Sequence, residues 1–429
     1  MSHMSCNCHI CHLIFTFFKS QVEFTMNKKI LVTSVLLALG SSAWAESADE
    51  EIALLKEQLK MLSAKIEQLE QKTNATQTEV EAVAKAETET EAKTEKSWSD
   101  RIQFSGDIRD RFEYIDQRGK DVRTRNRVRF RLSANAEVTE DLSVGFRLAS
   151  GAEDPTSTNQ TLDGAFSTKD IRLDLAYFKY NFNDSVGVTG GKMKNPFYIP
   201  AKTPALWDGD LNPEGFALNY DQDGWQGTLV GFAVEERSSA DDTLLFGGQL
   251  VKSFDLGGGS LVAGMGYYDY QELQGAAPLF DGKARGNTLD GNGRLAYDFN
   301  IVEGLVEYKT KLASTPFNLF ASYYQNTEAG DLDTGYVLGF GLGKVKDAGS
   351  WSFGYSYLDM EADSVYALFN DSDFAGGETD SKGHILKAGY GLGKNMSLGM
   401  TYISSEQDQS KAEQSDSDRL QMDLKIKFK

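Results

Sequence analysis

From residue 98 to the end, apolar and polar positions alternate with a period of two, most sharply over residues 123–138, RTRNRVRFRLSANAEV. Arginine occupies 123, 125, 127, 129 and 131, while Val128, Phe130, Leu132, Ala134, Ala136 and Val138 fill the other parity. That period predicts a β-strand whose two faces meet different surroundings. A row of guanidiniums needs deep hydration, and the opposite face needs a non-aqueous partner. A wall between lipid and a water-filled lumen supplies both. Taken alone, the stretch also reads as a half-buried strand of a soluble sheet.

The rest of the chain decides between the two. Alternation recurs at 102–114, 142–148, 171–180, 186–194, 216–220, 228–234, 244–254, 261–270, 301–312, 317–324, 336–344, 351–358, 384–392, 396–403 and 420–428. With 123–138 this predicts sixteen strands. The connections at 139–141, 183–185, 221–224, 255–258, 313–316, 346–349 and 393–395 are short. Those at 115–122, 151–169, 195–213, 235–242, 271–300, 325–333, 359–381 and 404–416 are longer. Short turns on one rim and long loops on the other are the signature of an even-stranded outer-membrane barrel, and a soluble sandwich has no reason to sort its loops. An even count puts both termini in the periplasm. Tyr267, Tyr268, Tyr270, Tyr323, Tyr324, Trp351, Tyr355, Tyr357 and Tyr402 fall near strand ends, where aromatic girdles are expected.

Ahead of the barrel the pattern changes. Met26 opens a cationic start (Lys28, Lys29), an apolar run over 30–39 and Ala43-Trp44-Ala45, a secretory signal over 26–45. Residues 1–25 then read as an upstream over-extension. Cys8-His9-Ile10-Cys11-His12 in that stretch fits the c-type haem pattern, but haem is attached after export and a segment ahead of the signal cannot carry it. No cofactor or metal is expected. Past residue 45 there is no cysteine and one histidine, His384. Ile52, Leu55, Leu59, Leu62, Ile66 and Leu69 form a heptad seam, which predicts a self-associating coiled-coil helix over 46–72, followed by a solvated linker over 73–97 and the barrel over 98–429. A formal charge of −19 argues against nucleic acid as a partner. No apolar run after the signal is long enough for a membrane-spanning helix. The fold class expected is all-β, a 16-stranded antiparallel transmembrane β-barrel preceded by a short periplasmic coiled-coil helix.

Three stretches, RTRNRVRFRL, RLASGAEDPTSTNQTL and GKMKNPFYIPAKTPALWDGDLNPEGFAL, resemble the bacterial outer-membrane putative-porin family with an N-terminal coiled coil. The resemblance covers residue 98 to the end, and Lys429 stands after the Phe428 at which family strands usually stop. It implies a homotrimer in the outer-membrane lipid passing small hydrophilic solutes or ions by diffusion, and the acidic charge of the chain is compatible with loops that face lipopolysaccharide. It also implies that 195–213, between the fifth and sixth strands, folds inward. Arg109, Arg111, Arg123, Arg125, Arg127, Arg129, Arg131, Arg147 and Arg172 would then line the pore, with Lys194, Asp208, Asp210 and Glu214 at the constriction. The same arginines could instead pair with Asp107, Glu113 or Asp174 and stiffen the wall. A mostly cationic wall makes an anion-selective channel for phosphate or small carboxylates the close alternative. An adhesin or structural tether is a third reading. Catalysis is not expected, because His384 shares parity with Leu386 and Tyr390 and stands without a nucleophile partner.

Overall fold

A computed structural model describes residues 101–203 and 205–429, together with residues 57, 60, 61, 64, 65 and 68. Those six are helical and exposed. The stretches expected to be a signal peptide, an upstream extension and a linker, and the heptad positions themselves, lie outside the described residues.

The barrel is a closed antiparallel sheet. Its strands are β1 (Ile102–Gln117), β2 (Arg123–Glu137), β3 (Leu142–Ser150), β4 (Gln160–Thr161), β5 (Ile171–Asn181) and β6 (Val186–Lys192). Then come β7 (Glu214–Gln222), β8 (Trp225–Glu235), β9 (Thr243–Asp255), β10 (Gly259–Tyr270), β11 (Phe299–Leu312) and β12 (Thr315–Asn326). The last are β13 (Thr334–Gly343), β14 (Trp351–Met360), β15 (Ser381–Gly393), β16 (Met396–Gln407) and β17 (Ser415–Phe428). Each wall strand pairs with its neighbours in the chain, and β1 pairs with β17, closing the ring. The two-residue β4 continues the wall beside β2 above the end of β3, so sixteen long strands make the barrel, as the alternation predicts. Closure leaves no sheet edge, and in hydrocarbon an unpaired backbone group has no water to turn to.

The two faces separate as the period demands. Phe104, Ile108 and Phe112 on β1, Leu229 on β8 and Met265 on β10 are exposed on the outer wall, while Arg109, Arg111 and Glu113 of β1 are buried inside. This inverts a soluble protein and defines a lipid-facing surface. Long connections gather on one rim, at 151–170, 193–213, 271–298 and 361–380, and short turns on the other. Strand β17 begins at Ser415, ahead of the expected 420, because its first residues stand beyond the apolar band where alternation carries no signal. Strand β6 ends at Lys192, earlier than the expected 194. A register shift opposite Arg147 and Leu148 moves β5 from odd-outward to even-outward, leaving Ile171, Leu173, Phe178 and Tyr180 all on the lipid face.

The girdle is smaller than the tyrosine list suggests. Tyr267, Tyr323, Trp351 and Tyr402 are exposed outward, whereas Tyr268, Tyr270 and Tyr324 are fully buried inside. Adjacent residues of a strand cannot share a face, so Tyr267 and Tyr323 exclude their successors. The inward tyrosines join a dry cluster inside the barrel with Phe197, Trp207, Phe232, Phe299, Tyr366 and Phe374. The lumen is therefore not uniformly wet.

Leu229 stands near the middle of β8 and is 62% exposed. Leu229→Arg should destabilise the barrel in lipid by about 2–4 kcal/mol, the cost of a cation on the lipid face near the midplane. Urea unfolding in liposomes measures this, and an unchanged midpoint would contradict the outward assignment.

Candidate functional site

The loop 193–213 leaves and rejoins the wall at a pair of glycines. Gly191 and Gly215 face each other in the β6–β7 ladder with φ of 108° and 142°. A Cβ on Gly191 would stand 2.3 Å from the Ala176 carbonyl oxygen, and one on Gly215 would stand 2.2 Å from that of Gly231. Only glycine fits such a turn. Met193 N–H donates to the Pro213 carbonyl at 2.9 Å and closes the base.

From there the loop crosses the lumen to the far wall. Tyr198 exchanges two hydrogen bonds with the Gln249 side chain, receiving one at its carbonyl (3.0 Å) and donating one from its N–H (2.7 Å). Its hydroxyl donates to Glu307 and accepts from Lys309 Nζ at 2.8 Å. Burial and the Glu307 carboxylate push the Tyr198 phenol well above its ordinary pKa. Trp207 stacks on Phe197 (5.6 Å between centroids) and meets the Tyr268 ring edge-on at 5.3 Å.

Two further loops fold inward, which the sequence pattern did not indicate. In 361–380, Asn287 of the 271–298 loop donates to the carbonyls of Ala362 and Val365 and accepts from Ala367 N–H. Phe369 lies over Trp207, and the Phe369 carbonyl accepts from Asp208 N–H at 2.8 Å. Ser372 N–H donates to Asp208 Oδ2 at 2.9 Å. The segment 151–159 is the third: the Thr156 carbonyl accepts from Ser372 Oγ at 3.0 Å, and Thr158 Oγ1 donates to Asp210 Oδ2 at 3.1 Å.

Against these loops stands the arginine wall. Arg111 grips Asp423 of β17 through two bonds (2.7 and 3.0 Å) and Asp373 at 3.0 Å. Arg125 pairs with Glu113, which also accepts from Gln421. Arg127 lies 4.0 Å from Glu113 and donates to Ser157. Arg129 and Arg131 share Asp107 (both 2.8 Å) and reach Asp210 at 3.6 and 3.5 Å. Arg147 pairs with Asp174. Arg123 and Arg172 do not join this cluster. Arg123 is exposed at the loop rim, and Arg172 pairs there with Glu153 and Asp170.

The constriction candidates also divide. Asp210 meets the wall directly; burial opposes its charge, but Arg129, Arg131 and Arg109 outweigh burial and hold its carboxyl below the usual range. Asp208 is turned away from the arginines onto backbone N–H groups, and burial together with Asp371 raises it well above that range. Lys194 stands among cations; burial, then Arg147, Arg131 and Lys202, lower its pKa. Glu214 opens β7 and pairs with Lys192 at 2.7 Å, so it belongs to the wall and not to the loop. Sequence reasoning missed Asp371, Asp373, Lys387, Arg419, Asp423 and Lys425. On β17 the signal was present, since Arg419, Gln421, Asp423 and Lys425 fill the parity opposite Leu420, Met422, Leu424 and Ile426.

Beside a cavity of about 600 Å³ lined by Arg172, Asp174, Lys192, Asp210, Leu279 and Phe369, two smaller ones lie between wall and loops. One, of about 370 Å³, is lined by Arg109, Arg111, Arg129, Arg131, Lys387 and Lys425 against Asp208, Asp210, Asp371 and Asp373. The other, of about 240 Å³ and nearer the long-loop rim, is lined by Arg125, Arg127, Arg285 and Arg419. They meet at Thr156, Ser372 and Asp373, which line both.

A family model described as a putative porin matches residues 116–289 and 292–428, more than half of the chain. No curated protein matches the sequence. Among solved structures, Pseudomonas putida OprB in its high-pH structure aligns over 76% of this chain and 94% of its own, with 12% identity and a TM-score of 0.55. A loop-deletion mutant of OmpT, an outer-membrane protein of Vibrio cholerae, aligns over 76% and 99% with 12% identity and a TM-score of 0.46. A triple mutant of the Rhodopseudomonas blastica porin aligns over 76% and 100% with 13% identity and a TM-score of 0.47. At 12% identity the OprB likeness carries the fold alone.

The contact between loops 193–213 and 361–380 should depend on pH. Burial, then Asp373, raise the Asp371 carboxyl to about 6, while Lys387 and Arg419 oppose that rise; Asp208 is raised in the same direction. A carboxyl raised by folding stabilises the contact fully below the ordinary aspartate range, and that contribution is lost as pH rises through about 6. The loops should loosen between pH 5 and 7.5. Trp207 emission, taken as the difference from Trp207→Phe, should follow a midpoint near 6. Asp371→Asn should abolish the transition, and an unaltered midpoint in that variant would contradict the assignment.

Proposed function

The chain belongs to the putative-porin family, and we propose on that premise that it is a diffusion channel for small hydrophilic solutes, its aqueous path running beside the arginine wall. The observation that carries this reading is the placement of charge across one polar cavity. Arg109, Arg111, Arg129 and Arg131 stand on the wall, and Asp208, Asp210, Asp371 and Asp373 come from two inward loops. Opposed charges across a narrow passage set up a transverse field that orders water and favours polar solutes. Family and fold are those of outer-membrane channels. The homotrimer remains part of the proposal, supported by family resemblance.

A preference for anions is the second reading. Arg109, Arg111, Arg129, Arg131, Lys387 and Lys425 outnumber the five aspartates that line the 370 Å³ cavity, and burial together with Asp371 disfavours the charged form of one of those five, Asp208. Purified protein in planar bilayers under a tenfold salt gradient should show discrete conductance steps and a reversal potential of anionic sign. Arg129→Gln with Arg131→Gln should shift that potential towards cation preference and leave the steps in place. Absence of steps would reject the channel, and a strongly cationic wild-type potential would reject the wall as the dominant filter.

A further inference from the structure

Arg109 differs from the arginines around it. Arg111, Arg125, Arg129, Arg131 and Arg147 each hold a carboxylate. Arg109 has no carboxylate within ion-pair reach among the described residues. One Nη donates to the side-chain oxygen of Asn159, a neutral amide, and the buried Nε has no hydrogen-bond partner. The residue is 7% exposed and lines the 370 Å³ cavity. Asn159 fixes the guanidinium plane without neutralising it. A buried guanidinium with an unpartnered N–H donor is a site for an oxygen acceptor.

A second cation faces the same space. Lys387 on β15 lines the cavity and makes no ion pair among the described residues. Thr401 adds a side chain able to donate a hydroxyl, and Lys425 stands beside Arg109 in the β1–β17 ladder. Asp423 is already engaged by Arg111 and Lys425, and Asp210 by Arg129 and Arg131, so these carboxylates are not free to claim Arg109.

We infer that this cavity is a binding site for a compact oxyanion, a small carboxylate or phosphate, held by Arg109 with Lys387 as the second cation. The inference rests on the channel reading for access but not for the site itself. In that channel the solute pauses at Arg109 before moving on, and transport saturates with concentration.

The test titrates succinate and inorganic phosphate against full-length protein, by conductance in potassium chloride and by calorimetry in detergent. Either anion should reduce the conductance saturably and release or absorb heat of binding; the tighter of the two identifies the natural class. Arg109→Gln should raise the half-saturating concentration about tenfold, the usual worth of a charge-assisted hydrogen bond. Asn159→Asp, which sets a carboxylate beside Arg109, should weaken binding in the same direction and serves if the first variant does not fold. Arg118→Gln, on the exposed rim, should leave the titration unchanged. Conduction without saturable binding of either anion overturns the site and leaves the channel standing. Binding without conduction keeps the site and rejects the channel. Equal affinity in wild type and both cavity variants overturns the role of Arg109.

Discussion

The structure depends on one ladder, the pairing of the first strand with the last. Closing the ring gives the first and last strands a partner on both sides, and it also decides which charges meet. In the β1–β17 register Arg109 stands opposite Lys425, Arg111 opposite Asp423, Glu113 opposite Gln421 and Ile115 opposite Arg419. The arginines of the β1–β2 hairpin are therefore partly balanced by a strand more than three hundred residues away, as in the Arg111–Asp423 pair at a sequence separation of 312. A one-residue slip would turn Arg109 and Arg111 out to lipid and Phe112 into the lumen. The hydrophobic effect outside and the ion pairs inside thus specify the same register.

The balance across the seam is incomplete, and the inward loops supply the rest. Asp210 reaches Arg129 and Arg131, and Asp373 reaches Arg111 and Arg419. Each such acid lowers the repulsion among cations packed at strand spacing. The aromatic contacts anchor the loops on the opposite side, where Trp207 and Phe369 rest against Tyr268 and Tyr270. The loops are held by dispersion and burial at one end and by charge at the other.

The strands were legible because lipid imposes a period of two over their whole length, and the arginine ladder because it shares that period. The direction of a loop leaves no such trace. Residues 361–380 mix serine, aspartate and glycine with Val365, Tyr366, Leu368, Phe369 and Phe374, an apolar group with no period to say which way it turns, and they meet Asn287, Trp207 and Thr156 from three other loops. The same limit explains Glu214: where β7 begins is set by the glycine pair Gly191 and Gly215, so its carboxylate pairs with Lys192 on the wall instead of hanging in the passage. The misplaced tyrosines have a simpler cause. Proximity to a strand end says how deep a ring sits, and only parity says which side it faces, as Tyr267 and Tyr268 demonstrate.

A lumen that is dry on one side and charged on the other constrains what can pass. The apolar cluster spans the loops and strands β7 to β16, so the charged space inside the barrel lies at the closure seam, where β1, β2 and β17 carry the cations, and beside β3, β5 and β6. The cations stand on strands, whereas Asp210 and Asp373 opposite them come from loops. Arg109, on the strand side and paired only with an amide, is the cation of that wall least engaged by the protein's own carboxylates.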